Sequence, residues 1–201
     1  MSRDRKVEII LATLELAAIS GIGNVTMSQI ADKVGIRKPS LYNHFESKEE
    51  IVEGMYEFLR EGAKKSANLT GNDYGELVKG KQALEVLQNA VENYRKIIED
   101  ENMQMFYKVI YSERSYQPLA AQIMVEETKK MLLATKQLFY AMQIHGLLQF
   151  KSVDMAATSF AMTIHAFMDY ELDQRTAEGI SAGSDGMISE YLDWFCSEFQ
   201  I

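Results

Sequence analysis

Apolar residues recur at helical spacing along nearly the whole of this 201-residue chain, and this pattern limits the fold more than any other feature. Near the start, Val7, Ile10, Leu14 and Ala17 form one stripe with a 3.6-residue period, which is typical of an amphipathic helix. No segment of useful length alternates apolar and polar residues as a half-buried strand does, and no internal repeat is present. The sequence therefore predicts an all-α chain of about nine helices.

Local signals place the first helix boundaries. Gly21 lies where the first apolar stripe ends, and glycine is common just after a helix. The run Thr26–Gln29 has the capping-box pattern that begins a second helix, and Gly35 ends that helix. A third helix is predicted over Lys38–Phe45, with a proline tolerated in its first turn. The run Ser47–Glu50 is a second capping box and begins a fourth helix.

The rest of the chain continues the helical pattern with two predicted interruptions. The segment Leu69–Gly80 contains three glycines and is predicted to be a loop, and Glu178–Gly186 is predicted to be a flexible connector. Ser152 is placed to cap the helix that follows it. The apolar spacing predicts further helices near residues 84–100, 103–112, 118–145, 153–174 and 188–199.

Charge is divided unevenly along the chain. The formal net charge is −8, yet residues 1–48 carry seven Lys/Arg against five Asp/Glu, and residues 49–201 carry fourteen against twenty-four. The segment from Lys33 to Lys48 contains four basic residues and a single acidic residue, Glu46. A local basic patch on an acidic body can bind phosphate while the body repels nonspecific contact with nucleic acid.

The segment Thr26–Lys48 has the helix lengths and the turn of a helix-turn-helix unit. In such a unit a first helix supports a second helix that enters the DNA major groove. Five apolar side chains are spaced to close a small core between the two helices: Ile30, Val34, Ile36, Leu41 and Phe45. The side chains predicted to face outward near the second helix are Arg37, Lys38, Pro39, Ser40 and Asn43.

These outward residue types suit contact with DNA. Lysine or arginine can pair with guanine, and an asparagine such as Asn43 can pair with adenine. Tyr42, His44, Lys48 and the Thr26 hydroxyl, with helix N-terminal amides, can bind phosphates and so fix the register. Lys48 lies near the positive end of a helix, which is unfavourable without an anion and therefore favours a phosphate there. The alternatives are that the Tyr42 ring only packs and that Lys48 is only solvated.

Residues 7–56 resemble the DNA-binding head of the TetR (tetracycline-repressor-like) family of bacterial transcription regulators. The resemblance lies in the runs 9–17, 23–36 and 38–51, above all in Leu41-Tyr-x-His-Phe-x-Ser-Lys48. It implies a homodimer on a palindromic DNA operator, with a ligand pocket in each larger C-terminal domain and ligand binding that releases DNA. Carried over by position, phosphate contacts fall on Thr26, Tyr42, His44 and Lys48, and base or groove contacts on Lys38, Pro39, Ser40 and Asn43.

Two positions depart from the commonest pattern of the family. Arg37 stands where a small capping residue is usual, so that its side chain is free to contact DNA instead, and Pro39 stands where glycine is frequent. The family's division then gives a helix-turn-helix DNA-binding domain over residues 1–48 and a ligand-binding and dimerisation domain over residues 49–201. Ten of the 12 methionines lie in the second part, which favours an apolar or aromatic small-molecule ligand.

Candidate contacts to such a ligand and to a second copy of the chain follow from the apolar faces. The candidate ligand contacts are Phe58, Tyr94, Met103, Phe106, Tyr107, Met131, Met162 and His165. Their alternative role is ordinary core packing, and His165 also fits an interior or interface histidine. The predicted dimer interface is formed by the apolar stripes of the last two helices: Val153, Ala157, Phe160, Ile164, Phe167, Ile188, Leu192, Phe195 and Phe199.

Other function classes find little support in the sequence. The single cysteine, Cys196, excludes a disulfide framework, and no His or Cys spacing suits a metal. The motifs of phosphate-binding loops, zinc proteases and serine hydrolases are missing, so neither a cofactor nor catalysis is expected. No signal peptide or membrane-spanning run is evident, which favours a soluble, cytoplasmic protein. The alternatives to a ligand-controlled repressor are an activator, a regulator controlled by a partner protein and, remotely, an all-α enzyme.

Overall fold

The structure is a computed structural model that describes residues 4–66, 73–178 and 185–200, and within these ranges it is helical and contains no strand. It confirms the all-α prediction, with ten α-helices and one short 3-10 turn, η1, in the described ranges. The elements in chain order are α1 Arg5–Ser20, η1 Ile22–Asn24, α2 Met27–Val34, α3 Lys38–Tyr42, α4 Lys48–Ser66, α5 Tyr74–Val78, α6 Ala83–Ile98, α7 Glu101–Glu113, α8 Pro118–Ile144, α9 Val153–Glu178 and α10 Asp185–Phe199.

One helix was not expected. The loop predicted over Leu69–Gly80 is wrong for Tyr74–Val78, which forms the short helix α5. The Asp73 side chain caps it, because its Oδ1 accepts hydrogen bonds from the backbone N–H groups of Gly75 (2.9 Å) and Glu76 (3.4 Å). Most of the predicted connector near residues 178–186 lies outside the described residues.

The third helix is shorter than predicted. The helix α3 ends at Tyr42 rather than Phe45, and its N-cap residue, Arg37, makes no capping hydrogen bond with its side chain. The other predicted caps are present: the Ser47 hydroxyl accepts from the Glu50 N–H at 3.1 Å, and the Ser152 hydroxyl accepts from the Met155 N–H at 3.3 Å. A helix of five residues depends on packing rather than on its own hydrogen bonds.

The chain divides into two compact units by its contacts. The first comprises Met1–Thr70 with Arg95–Glu127, and the second comprises Gly71–Tyr94 with Thr128–Ile201. This division by contacts is separate from the functional boundary expected after residue 48, which stays a prediction. In the first unit one apolar core joins α1, α2, α3, α4 and α7; its fully buried members include Ile9, Leu14, Ile30, Leu41, Ile51, Met55, Met103, Phe106 and Ile110.

The second unit contains a cluster of aromatic rings from α8, α9, α10 and the segment before α9. Phe195 lies within it, with ring centroids 5.6 Å from Phe139, 5.0 Å from Phe160 and 4.7 Å from Phe199. Contacts at these distances between tilted rings stabilise a core beyond the burial of apolar area. None of the helices in the described ranges is long and apolar enough to cross a membrane.

The aromatic cluster corrects the predicted dimer interface. The side chains of Val153, Ala157, Phe160, Ile164, Ile188, Leu192 and Phe195 are all buried inside this single chain, and Phe167 and Phe199 are half-buried. A side chain already covered by its own chain has no surface left for a partner. The prediction that these stripes meet across a two-fold axis is therefore wrong for the seven buried side chains, and dimerisation through other residues of the last two helices stays a prediction.

Candidate nucleic-acid interface

The helices α2 and α3 are joined by a sharp turn whose geometry the sequence specifies. Thr26 and Gln29 form the predicted capping box, with the Gln29 N–H donating to Thr26 Oγ1 and the Thr26 N–H donating to Gln29 Oε1. Gly35 ends α2 in the left-handed region, with φ of +73°. The Ile36 N–H then donates to the Ala31 carbonyl at 3.0 Å, which closes the turn before α3 begins.

Packing of the two helices fixes which side of α3 faces outward. Leu41 is fully buried, Phe45 is 5% exposed, and Ile30 on α2 is fully buried. Val34 and Ile36 pack against the same core while partly exposed. The predicted inward set is therefore confirmed, and α3 presents its opposite side to solvent.

That opposite side carries most of the predicted DNA contacts. The exposed residues of this surface, the α3 face, are Arg37, Lys38, Pro39, Ser40, Tyr42 and Asn43. His44, just beyond the helix, is half-buried, and Thr26 at the start of α2 is exposed. The structure brings these groups together on one short element and its neighbour, and their individual contacts to DNA stay predictions.

The basic side chains of the head differ in their surroundings. Lys33 Nζ lies 2.8 Å from Glu15 Oε2, and Lys6 Nζ lies over the Phe45 ring, 5.1 Å from its centroid. Within the described part of the chain, neither Arg37 nor Lys38 forms an ion pair, and both side chains are exposed. Positive charge is therefore displayed at the beginning of α3, where a groove or phosphate contact would need it.

The Thr26 hydroxyl is already engaged within the protein. It donates to Gln29 Oε1 at 2.8 Å and accepts from the Gln29 N–H at 3.3 Å. A hydroxyl has one proton to donate, so a phosphate contact from Thr26 Oγ1 would replace its bond to Gln29. The capping role uses the hydroxyl as an acceptor, whereas its proton is held by Gln29 Oε1, a contact that no sequence signal indicated.

Lys48 has partners that the sequence did not indicate. Its Nζ donates to the carbonyl oxygens of Ile22 at 2.9 Å and Gly23 at 3.2 Å. The acceptors that a cation in a first helical turn requires are thus main-chain carbonyls of η1, which leads directly into α2. An ammonium has three donors, so one remains for the phosphate contact that stays predicted for Lys48.

Glu113, at the end of α7, also contacts the η1 turn. Its Oε1 accepts from the Gly23 N–H at 3.4 Å, and a Cβ added to Gly21, whose φ is +80°, would lie 2.6 Å from that oxygen. Glycine at position 21 therefore serves both the left-handed backbone and this close approach. No sequence signal indicated Glu113, because it lies 90 residues from Gly23.

We expect Lys48→Met to lower the free energy of unfolding by about 1–3 kcal/mol, since it leaves two carbonyl acceptors of η1 without their charged donor. Urea denaturation followed by circular dichroism measures this loss. Lys38→Met serves as the matched control, because Lys38 is exposed and its replacement should change stability by about 0.5 kcal/mol or less. Equal stability of the two variants would show that the contacts of Lys48 to η1 contribute nothing.

The candidate ligand contacts are dispersed. In the first unit, Met103 is fully buried and Phe106 is 1% exposed, so both are core residues in this structure, whereas Phe58 is 38% exposed and Tyr107 half-buried. In the second unit, Met162 is 48% exposed, and Tyr94, Met131 and His165 are half-buried. His165 Nε2 lies 3.8 Å from Asp169 Oδ2. The ligand-contact role of all eight residues stays a prediction.

A bracing helix, a glycine turn and a short helix with exposed basic and amide side chains define a helix-turn-helix DNA-binding protein. The sequence-family model of the bacterial regulatory proteins of the tetR family matches residues 9–55. The model of the AefR-like transcriptional repressor C-terminal domain matches residues 85–182. The chain belongs to the TetR family of transcription regulators.

Solved structures share this fold over nearly the whole chain. The flavonoid-responsive regulator FrrA is 20% identical, with a TM-score of 0.73 over 98% of this chain and 97% of its own. GusR of Salmonella enterica is 18% identical, with a TM-score of 0.70 over 96% of this chain and 95% of its own. At these identities the likeness concerns the fold.

Likeness in sequence to curated relatives is confined to a short segment. The nucleoid occlusion factor SlmA of Vibrio cholerae is 37% identical over 59 residues, which are 29% of this chain and 30% of SlmA. The match thus spans less than a third of the length of such relatives, and it does not extend to their larger part.

Proposed function

We propose that this regulator is a homodimeric repressor that binds a palindromic operator through α3 and is released from it by a small apolar or aromatic molecule. The observation that carries the DNA-binding part is the α3 face, which exposes Lys38, Ser40 and Asn43 while Leu41 of the same helix is buried in the core. In this proposal residues 1–48 bind DNA and residues 49–201 bind ligand and dimerise. The regulator acts in the cytoplasm, without catalysis, metal or cofactor.

On DNA, the α3 face enters the major groove, where some of its side chains contact bases and others contact phosphates. Lys38 and Arg37 are placed to donate to guanine, and the Asn43 amide is placed to pair with adenine. Tyr42 and His44 lie beside them and contact phosphates, which fixes the register of α3 in the groove. A dimer presents two such helices, and these must lie about 34–36 Å apart to meet successive major grooves.

Dimerisation uses the outer sides of the last two helices rather than the predicted stripes. Apolar side chains remain exposed there: Met155 is 67% exposed and Met162 48% on α9, while Met187 is 43% exposed and Trp194 52% on α10. Large apolar side chains left exposed on neighbouring helices are typical of a surface that a second protein covers. Two copies of α9 and α10 would form a four-helix interface around a two-fold axis.

The repressor role and the effector class have separate support. The C-terminal family model is that of a transcriptional repressor domain, and FrrA is described as flavonoid-responsive, so a relative of this fold responds to an aromatic molecule. In the first unit, the rings of Tyr56, Phe106 and Tyr107 follow one another with centroids about 6 Å apart, and such rings suit an aromatic ligand. The ligand releases DNA only by its preference for a conformer with lower DNA affinity.

Gel mobility shift tests the DNA-binding part of this proposal. The purified protein is mixed with DNA from upstream of its own gene and with shuffled DNA of equal length, at several salt concentrations. We expect a shift of the upstream DNA alone at moderate salt, and a steep loss of affinity as salt rises, because basic groups displace counterions from phosphates. Absence of any shift at low salt, both for native protein and for protein refolded to remove a co-purified ligand, would contradict the proposal.

A further inference from the structure

Three polar side chains lie buried where α4 meets α8 in the first unit, and we name them the α4–α8 polar cluster: Tyr56, Arg60 and Glu127. They are 3%, 6% and 3% exposed, respectively. Glu127 Oε1 accepts a hydrogen bond from Arg60 Nη1, and Glu127 Oε2 accepts one from the Tyr56 hydroxyl. A single carboxylate on α8 therefore holds two side chains of α4, one turn apart.

Burial and charge define the protonation states in the cluster. Burial raises the pKa of Tyr56, and the negative charge of Glu127 raises it further, so the phenol keeps the proton that it donates. Burial is the largest single influence on Arg60 and by itself would lower its pKa, but the charge of Glu127, together with Tyr56, Tyr107 and the hydrogen bond to Glu127, raises the pKa on balance. The Tyr56 phenol and the Arg60 guanidinium therefore both keep the protons that they donate to Glu127.

A contribution to folding stability does not by itself explain why this chain buries the α4–α8 polar cluster. Removing two charges from water costs several kcal/mol per ion, and replacing a buried ion pair by apolar residues is often neutral or stabilising. In addition, Arg60 Nε is buried without a hydrogen-bond acceptor in the described part of the chain, which is itself unfavourable. What the bonds to Glu127 supply, and apolar contacts do not, is a fixed direction and register between two helices.

The register of α4 determines where α3 lies. Ile51, Val52 and Met55 of α4 belong to the same core as Leu41 and Phe45. A Cβ added to Gly54 would meet the Phe45 ring at 3.4 Å, so α4 closely contacts the segment that directly follows α3. Since helices shift as rigid bodies, rotation or sliding of α4 at Arg60 moves the segment on which α3 packs.

We propose that Glu127 is a positioning residue, which through Arg60 and Tyr56 holds α4 in the arrangement that lets the α3 face fit DNA. This inference rests on the proposed DNA-binding function. The cluster also adjoins the candidate ligand contacts, since the Tyr56 ring stacks on Phe106 at 6.0 Å.

The test replaces the charged side chains of Arg60 and Glu127 by apolar side chains of similar volume. The double variant Arg60→Met/Glu127→Leu should stay folded, but it should unfold at a slightly lower temperature than the parent, because the buried Tyr56 hydroxyl loses its acceptor. We expect its operator affinity, measured by fluorescence anisotropy, to fall about 5- to 150-fold, which is the usual range for coupling between sites. The dependence of affinity on salt should not change, because no phosphate contact is lost.

A matched control removes an exposed ion pair from the same helix. Glu61 and Lys64 pair at 2.8 Å, with side chains 50% and 30% exposed, and Glu61→Leu/Lys64→Met should bind the operator within about twofold of the parent. Unchanged affinity of a folded Arg60→Met/Glu127→Leu would overturn the positioning role. If that variant fails to fold, Tyr56→Phe decides: affinity more than about twofold weaker at unchanged salt dependence supports the role, and unchanged affinity overturns it.

The outcome also separates this inference from the proposed function. A parent protein that binds no DNA would contradict the proposed function itself. A parent that binds its operator, together with an Arg60→Met/Glu127→Leu variant that binds equally well, would contradict only the positioning role of Glu127.

Discussion

Phe195→Ala should lower the free energy of unfolding by about 3–5 kcal/mol, as expected for the loss of a fully buried aromatic ring. Phe195 is 2% exposed, and its ring contacts Phe139, Phe160 and Phe199 at centroid distances of 4.7–5.6 Å. Alanine would leave a void among side chains from several helices, and rings of fixed shape collapse poorly into such a space. Urea denaturation at several protein concentrations measures the loss.

Trp194 provides the control, since it is the neighbour of Phe195 but is 52% exposed. If the outer side of α10 forms the dimer interface, Trp194→Ala should weaken dimerisation in sedimentation measurements, as aromatic residues at interface centres do. Phe195→Ala should instead lower the unfolding midpoint at every concentration. A Phe195→Ala variant as stable as the parent, with impaired dimerisation, would return Phe195 to the interface and contradict the burial seen here.

The head could be predicted from sequence because its determinants are local. Thr26 and Gln29 lie three residues apart, and their reciprocal hydrogen bonds form wherever the backbone begins a helix. Gly35 takes the left-handed conformation that ends α2, and Ile30 and Leu41 on either side of the turn are both buried, as their spacing predicted. The exposed side of α3 follows from these contacts.

Residues 49–201 could be predicted only as a set of helices. Which residues pack against each apolar helix face depends on parts of the chain that are distant in sequence. The stripe of Phe160 and Ile164 has the same spacing whether its own chain or a second copy covers it, and here its own chain does. Glu127 lies 67 residues from Arg60, so no local pattern indicated their pairing. For Lys48 the sequence predicted a phosphate contact, which stays a prediction, and no local pattern indicated the carbonyls of η1 that its Nζ contacts in the structure.

If Asn43 makes the proposed base contact, Asn43→Ala should weaken operator binding by about 2–6 kcal/mol per dimer, because each of the two heads would lose a contact worth about 1–3 kcal/mol. Asn43 is exposed and follows the last residue of α3, on the side opposite the buried Leu41. The loss should be specific: affinity for shuffled DNA should hardly change, and the salt dependence should stay that of the parent, because the amide carries no charge.

Tyr42→Phe is the contrasting variant, since it removes one hydroxyl from the adjacent exposed residue and keeps the ring. A phosphate contact carries no sequence information, so its loss should weaken operator and shuffled DNA by the same factor. Anisotropy titrations of both variants against the operator, its single-base-pair variants and shuffled DNA give, for each variant, the factor by which its affinity for each DNA falls relative to the parent. If Asn43→Ala also weakened both DNAs equally, Asn43 would contact the backbone. Specificity would then have to come from Arg37 and Lys38 at the other end of α3, and the helix would enter the groove by its N-terminus.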